Sequence, residues 1–249
     1  MRTPVCLVML GLLAGCGQDT PSPNGSTDAA GTPASPAASA KAAPAQAATS
    51  SSAAASNRSN PFAQRSGELS NPDDSAMVML YHDLAQLPPP IASWVEADNR
   101  LQFAPAPQKA GLREQLTREF EAARDAVKNV GVLRITLADA QLSDYDPSYG
   151  EYTIRALSPS STIGFKALGQ TVTLKFDNAR DAQLWKVAAD EAQAVQDKLG
   201  NYGRAALDIT LAVSGVVPGP AGGTITTRIV EYELRAQRNG NTLARVRLN

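Results

Sequence analysis

The stretch of sequence that decides the fold is 207–234, LDITLAVSGVVPGPAGGTITTRIVEYEL. Apolar and polar residues alternate over 207–213 and again over 230–234, as they do in strands that bury one face of a sheet. We therefore predict two long strands. The segment between them, 217–223, is rich in proline and glycine, which predicts a flexible hairpin loop.

Further strands are predicted on both sides of this pair. Downstream, the composition of 238–241, RNGN, is typical of a tight hairpin turn that leads into a last strand at 242–248. Upstream, the two-residue period recurs in four shorter segments, which we also interpret as strands. These segments are 133–137, 152–154, 163–165 and 172–176.

Three helices are predicted from apolar residues at three- and four-residue spacing. The first begins at Pro72-Asp73-Asp74-Ser75, a sequence typical of a helix start, and ends before a run of three prolines. The second covers 109–127, and the third covers 178–199 with Asp177 or Asn178 as its cap. This order predicts an α+β domain: a mostly antiparallel sheet of about six or seven strands, two N-terminal helices, and one long helix packed on the sheet.

The N-terminal part of the chain has a different composition. Arg2 precedes an apolar run at 5–13, which has the length of a secretory signal and is shorter than the ~20 apolar residues that span a bilayer. From 17 to 61 there is no Leu, Ile, Val, Met, Phe, Tyr or Trp, so this stretch cannot bury a core. We predict a signal peptide at 1–15, a disordered tether at 16–72 and a single folded domain at 73–249.

The residues at the predicted cleavage site, Leu13-Ala14-Gly15-Cys16, resemble the lipobox of bacterial lipoproteins. The resemblance implies that the Cys16 thiol receives a diacylglycerol and that the signal peptide is cut between Gly15 and Cys16. It also implies a membrane anchor made of acyl chains. Gram-negative lipoproteins retained at the inner membrane commonly carry Asp after the cysteine. Gly17 stands there, which implies the periplasmic face of the outer membrane.

The cysteine count and the charge restrict the chemistry of the domain. Cys6 and Cys16 are the two cysteines, and one would leave with the signal peptide while lipid consumes the other. No thiol would then remain for a disulfide or a nucleophile. The formal net charge of −1 gives no indication of a nucleic-acid partner.

His82 is the single histidine of the chain, and its position on the first helix predicts that it faces the polar side. One exposed histidine can neither build a histidine metal site nor complete a Ser-His-acid triad. Known nucleophile, zinc and phosphate motifs are absent from the sequence. We therefore expect a protein that is not an enzyme, with no metal site and no cofactor.

The segment 144–152, DYDPSYGEY, is the densest cluster of functional side chains. Tyrosine buries a large contact area at a low entropy cost, and the carboxylates would select a basic partner or hold Ca²⁺. Paired carboxylates would also suit a glycosidase, and Asp-Pro with Tyr-Gly equally fits a solvated turn. The candidate partner-binding residues are Asp144, Tyr145, Asp146, Tyr149, Glu151 and Tyr152.

The layout of helices, a Tyr-Asp-rich turn and a sheet over 73–249 resembles that of uncharacterised lipoprotein families of proteobacterial envelopes. We therefore expect a lipid-anchored, non-catalytic binding module with a protein partner. An immunity protein, an inhibitor of an envelope enzyme and an assembly adaptor all fit this description. Two alternatives stay open: a glycan-acting enzyme that uses Asp144, Asp146 or Glu151, and a passive structural component of the envelope.

Overall fold

A computed structural model describes residues 60–200 and 204–248. The predicted signal peptide, Cys16 and the tether up to residue 59 lie outside the described residues. The strands are β1 (Gly67–Ser70), β2 (Val130–Leu137), β3 (Glu151–Thr153), β4 (Thr162–Ala167), β5 (Gln170–Phe176), β6 (Leu184–Lys186), β7 (Ala205–Gly219), β8 (Gly222–Ala236) and β9 (Thr242–Arg247). The α-helices are α1 (Asp74–Leu84), α2 (Ile91–Ala97), α3 (Asn99–Gln102), α4 (Lys109–Ala126), α5 (Ala179–Ala182) and α6 (Ala189–Leu199).

The main sheet has the strand order β1-β2-β7-β8-β5-β4, and β9 pairs with β8 beyond the end of β5. The predicted combination of helices with a sheet of this size is confirmed. The sheet is nevertheless mixed, because β1 runs parallel to β2 and β5 runs parallel to β8. A parallel pair needs a long crossover, and the one between β5 and β8 contains α5, β6, α6 and β7. Strands β3 and β6 form a separate two-stranded sheet.

Helix α1 lies at the centre of the core. The predicted helix start at 72–75 is confirmed, and Asp73 is its cap, because its side chain accepts a hydrogen bond from the backbone N–H of Ala76. The helix packs on β4, β5 and β8 and also contacts α4, so every residue from Met77 to His82 is buried. A helix covered on several sides has no solvated face for a histidine.

The prediction that His82 is exposed is therefore wrong. Its Nε2 lies 3.1 Å from Oε1 of Gln170 on β5. The ring stands edge-on to Tyr81 and to Trp94 of α2, each with its centroid 5.4 Å away. His82 thus serves the packing between α1, α2 and the sheet.

The predicted flexible loop at 217–223 is also wrong. Strand β7 continues to Gly219, and strand β8 already begins at Gly222. Only Pro220 and Ala221 lie between the two strands. Strand β2 pairs with β7 only up to Ala212, so the rest of β7 is an edge, where proline is tolerated. The hairpin therefore extends well beyond β2.

The predicted helix at 178–199 consists of two helices with a strand between them. Asn178 does not cap a helix with its side chain; its amide bonds both the N–H and the C=O of Ile229 on β8. Strand β6 then pairs with β3, which places Trp185 against Tyr152. These tertiary contacts override the helical spacing of the sequence.

The fold begins before residue 73, so the predicted boundary of the tether is wrong for its last residues. β1 is a strand of the main sheet, and Arg65 pairs with Asp83 of α1 at 2.5 Å. Asn60 donates from Nδ2 to the backbone oxygen of Val213 on β7 at 2.8 Å. The chain therefore joins the fold beside the middle of β7.

The two ends of the main sheet are formed by different segments. The tip end contains the turns at 167–170 and 219–222, because β5 and β8 both start there with Thr171 opposite Gly222. The loop end contains the loop at 138–150, which follows β2, and the turn at 237–241, which follows β8.

Candidate functional site

A groove of about 740 Å³ opens at the loop end of the sheet, between the 138–150 loop, α6 and the β8–β9 turn. Its lining is mainly polar. The lining residues include Ser143, Asp144, Tyr145, Tyr152, Gln193, Gln196, Asp197 and Arg238.

The loop wall of the groove is fixed by backbone hydrogen bonds. Ser143 donates its N–H to the oxygen of Thr153 at 2.9 Å, and its Oγ accepts from the N–H of Thr153 at 2.8 Å. Ala140 donates its N–H to the oxygen of Ala205 at the start of β7. These bonds hold Asp144 and Tyr145 at the rim of the groove.

Three aromatic rings support the groove from below. Tyr145 and Tyr152 have ring centroids 5.2 Å apart, and Tyr152 stacks on Trp185 at the same distance. The hydroxyl of Tyr145 donates to the oxygen of Val187 at 3.1 Å, and that of Tyr152 donates to the oxygen of Ala192 in α6 at 3.4 Å. Burial raises the pKa of Tyr152, so its phenol stays a neutral donor.

The turn at 146–151 lies beside the groove and not in it. Asp146 accepts the backbone N–H of Ser148 at 2.8 Å, and Gly150 takes the left-handed conformation with φ of 64°. Glu151 forms an ion pair with Lys186 at 2.5 Å, and Lys186 also donates to the oxygen of Tyr149. The turn is therefore closed by its own bonds, with the Tyr149 side chain 71% exposed.

Both signs of charge line the groove. Gln193 donates to Asp197 one turn further along α6 at 2.9 Å. Within the described residues, the side chains of Asp144 and Arg238 make no hydrogen bond or ion pair. An unpaired carboxylate and an unpaired guanidinium facing one groove leave strong hydrogen-bonding capacity for a ligand.

Three of the six candidate residues, Asp144, Tyr145 and Tyr152, line the groove; Asp146, Tyr149 and Glu151 do not. Tyr152 is buried and forms part of the groove wall. Asp144 and Tyr145 are therefore the two candidate residues that a ligand in the groove can reach. Sequence reasoning missed Gln193, Gln196, Asp197 and Arg238. The spacing of the first three on one face of a helix was a readable signal, but nothing in the sequence pairs that face with residue 144.

The three acidic residues of the glycosidase alternative do not share a cleft. Asp144 lines the groove, Asp146 caps its own turn, and Glu151 is paired with Lys186. Across residues 60–200 and 204–248, no group of three or more His, Cys, Asp or Glu side chains is placed to hold a metal ion. Among the described helices, none has the length and apolar character that crossing a bilayer requires.

Comparison with known proteins gives no match to a family, to a curated protein or to a solved structure.

Proposed function

We propose that this chain is a periplasmic lipoprotein, anchored through Cys16 to the outer membrane, that acts without catalysis by binding a protein partner in the groove at the loop end. The observation that carries the binding role is the pair of uncompensated charges, Asp144 and Arg238, in a groove of about 740 Å³. The anchor rests on the lipobox resemblance at 13–16.

The described chain enters the fold away from the groove. Asn60 is bonded to Val213 near the middle of β7, and the groove lies beyond the start of that strand, at the loop end of the sheet. No lining residue of the groove comes from 60–72, so the described part of the N-terminal segment leaves the groove free for a partner.

The chemistry of the groove favours a polypeptide ligand. Amide groups of Gln193 and Gln196 can pair with backbone N–H and C=O groups, while Asp144 and Arg238 select side chains of opposite charge. Tyr145 adds apolar contact at low entropy cost. Immunity proteins, inhibitors and adaptors all bind a protein in this manner, and the identity of the partner separates them.

Photocrosslinking in intact cells tests this proposal. A benzophenone amino acid replaces Gln193 in the groove or, as the matched control, Gln115 on α4. Gln115 is likewise exposed and donates to a carboxylate one turn away, that of Glu119. We expect one discrete protein adduct from position 193 and none from position 115.

Reversing the charge of Arg238 tests whether the adduct depends on the groove. Arg238→Glu should abolish the adduct, whereas Arg118→Glu on the exposed face of α4 should leave it unchanged. Equal adducts from both crosslinker positions, or an adduct that survives Arg238→Glu, would contradict binding in the groove. No adduct at either position would favour a passive structural component.

A further inference from the structure

Strand β4 is an edge of the main sheet, and part of its outer side is open. Lys166 of this strand donates its backbone N–H to Asp74 of α1 at 3.1 Å and so points away from β5. In an antiparallel pair the outward-facing N–H and C=O groups belong to alternate residues, so those of Thr162 and Gly164 face the same way. Within the described residues, these outward groups of Thr162 and Gly164 have no hydrogen-bond partner, and both residues are exposed.

Side chains close two other gaps along the strand edges. Beyond the end of β1, Asn71 donates its backbone N–H to the oxygen of Arg134 on β2, and its Oδ1 accepts the N–H of Thr136, both at 2.7 Å. Between β5 and β9, the amide of Asn178 bonds the edge of β8 at Ile229. Proteins protect strand edges because an open edge pairs with another chain. The open stretch of β4 lacks such a closure.

The outer edges of β1 and β9 are protected in a different way. Strand β1 has only four residues, and Arg245 and Arg247 alternate along β9 as exposed charges. Short edge strands and charged side chains both disfavour pairing with another chain. Residues 162–164 of β4, TIG, carry no charge. This stretch of β4 is therefore the edge that best admits a further strand.

A groove of about 410 Å³, the edge groove, lies along this stretch, between residues 161–164 and the residues that end and follow β2, 137–139 and 141. A Cβ at Gly164 would meet nothing within 4 Å, so another backbone can approach closely. Asp139 is the charged residue of the lining, and its carboxylate has no ion pair within the described residues. The exposed cations of the β4–β5 pair, Lys166 and Lys175, lie outside the lining.

The edge groove adjoins the groove at the loop end. Gln141 lines the edge groove, and the next residue, Leu142, lines the groove at the loop end. One loop thus forms a wall of both. A polypeptide bound in the groove at the loop end therefore has the open edge of β4 within its reach.

We propose that an extended segment of the protein partner adds to β4 as a further strand and pairs with the outward N–H and C=O groups of Thr162 and Gly164. The inference rests on the proposed function, because this partner is the one in the groove at the loop end. Backbone pairing supplies affinity, and Asp139 selects a basic side chain of the segment. Two contacts with one partner strengthen each other, because the first holds the second at a high effective concentration.

Hydrogen exchange of the isolated mature protein tests whether the edge is open. We expect the amides of Thr162 and Gly164 to exchange many-fold faster than those of Ile163 and Phe165, which face β5. Equal protection of all four amides would overturn the inference, because the edge would then already be covered. Protection that grows with protein concentration would assign the edge to a second copy of the chain.

Photocrosslinking in intact cells tests the occupant. A benzophenone amino acid replaces Thr162 or, as the matched control, Thr242, an exposed threonine on the arginine-bearing edge strand β9. We expect position 162 to capture the same protein as position 193, and position 242 to capture none. Equal adducts at 162 and 242, or a crosslinked dimer of this chain at 162, would overturn the inference.

Two substitutions of Gly164 show whether the backbone makes the contact. Gly164→Pro removes the outward N–H without removing a bond to β5, whereas Gly164→Ala keeps that N–H and fits the open space. We expect the proline variant to lower the yield of the adduct at 162 at least ten-fold and the alanine variant to leave it unchanged. Both should keep the slow exchange of β5, which shows that the sheet is intact. An adduct that survives Gly164→Pro would overturn strand addition.

The two crosslinker positions separate this inference from the proposed function. An adduct at 193 without one at 162 keeps the groove at the loop end and refutes strand addition. A proline-sensitive adduct at 162 without one at 193 refutes binding in the groove at the loop end and supports strand addition at β4.

Discussion

The tip end and the loop end of the same sheet have opposite chemistry. At the tip end, β7 and β8 pair up to a two-residue turn, and no charge occurs over 213–227. At the loop end, irregular segments bring Asp144, Asp197 and Arg238 around one groove. The comparison teaches that regular pairing leaves an uncharged projection, whereas loops of varied composition supply the polar groups that recognition needs.

The largest expected effect is a difference in unfolding free energy between substitutions in the tip-end turn and in the loop-end turn. Gly222 has φ of 126°, and a Cβ there would lie 1.9 Å from the backbone oxygen of Thr171. Gly222→Ala should lower the free energy of unfolding by roughly 4 kcal/mol, the sum of backbone strain and overpacking. Gly240 in the loop-end turn has φ of 70° and open space around it, so Gly240→Ala should cost only about 1 kcal/mol.

Urea unfolding of the two variants measures this difference. Equal losses of unfolding free energy would mean that the tip is as loosely held as the loop-end turn. That result would contradict the close packing of Gly222 against the backbone of Thr171.

A smaller effect is expected at the aromatic support of the groove. Tyr152→Phe removes the hydrogen bond to the oxygen of Ala192 in a buried site and should cost about 1 kcal/mol in unfolding free energy. Tyr149→Phe, on the exposed turn, is the control and should have no effect. A Tyr152 variant as stable as the control would show that the 3.4 Å contact contributes nothing to holding α6 against the loop.

The smallest effect concerns the solvent face of β8 and β9. The hydrogen bond from Arg245, followed by that from Thr242, lowers the pKa of Glu233 from 4.5. A lowered pKa in the folded state adds stability above the unfolded value, and this stability is lost as the pH falls through the folded value. Arg245→Ala should therefore cost a little stability at neutral pH and nothing in acid well below pH 4.5.

Thermal unfolding of Arg245→Ala and the wild type across this pH range tests the pairing. Arg118→Ala on α4 is the control, because its nearest carboxylate, Glu114, lies 4.0 Å away. A difference for Arg245→Ala that persists in acid would assign the effect to packing and not to charge.

Local patterns in the sequence predicted the elements whose neighbours match those patterns. Helix α4 and the turn at 238–241 fall where spacing and turn residues place them. The prediction of one helix over 178–199 is wrong because of contacts with segments that are distant in sequence. The Asn178 side chain bonds to Ile229 of β8, and the Trp185 ring stacks on Tyr152 of β3. Strand β1 was missed because its pairing with β2 is parallel and its residues follow a long polar stretch.

Only part of the groove lining can be predicted from the sequence, because the rest is brought together by contacts between distant segments. The Tyr-Asp cluster is visible as composition, so Asp144 and Tyr145 were found. Arg238 contributes only because β8 ends beside the loop that follows β2, and that juxtaposition depends on the pairing of β2, β7 and β8. A single sequence carries no signal for it.

The central claim is that this domain is held to a membrane by lipid on Cys16. Mass spectrometry of the mature protein isolated from its own membranes tests that claim most directly. We predict a first residue of Cys16 that carries a diacylglyceryl thioether. An unmodified Cys16 thiol, or a mature chain that starts at another residue, would contradict it.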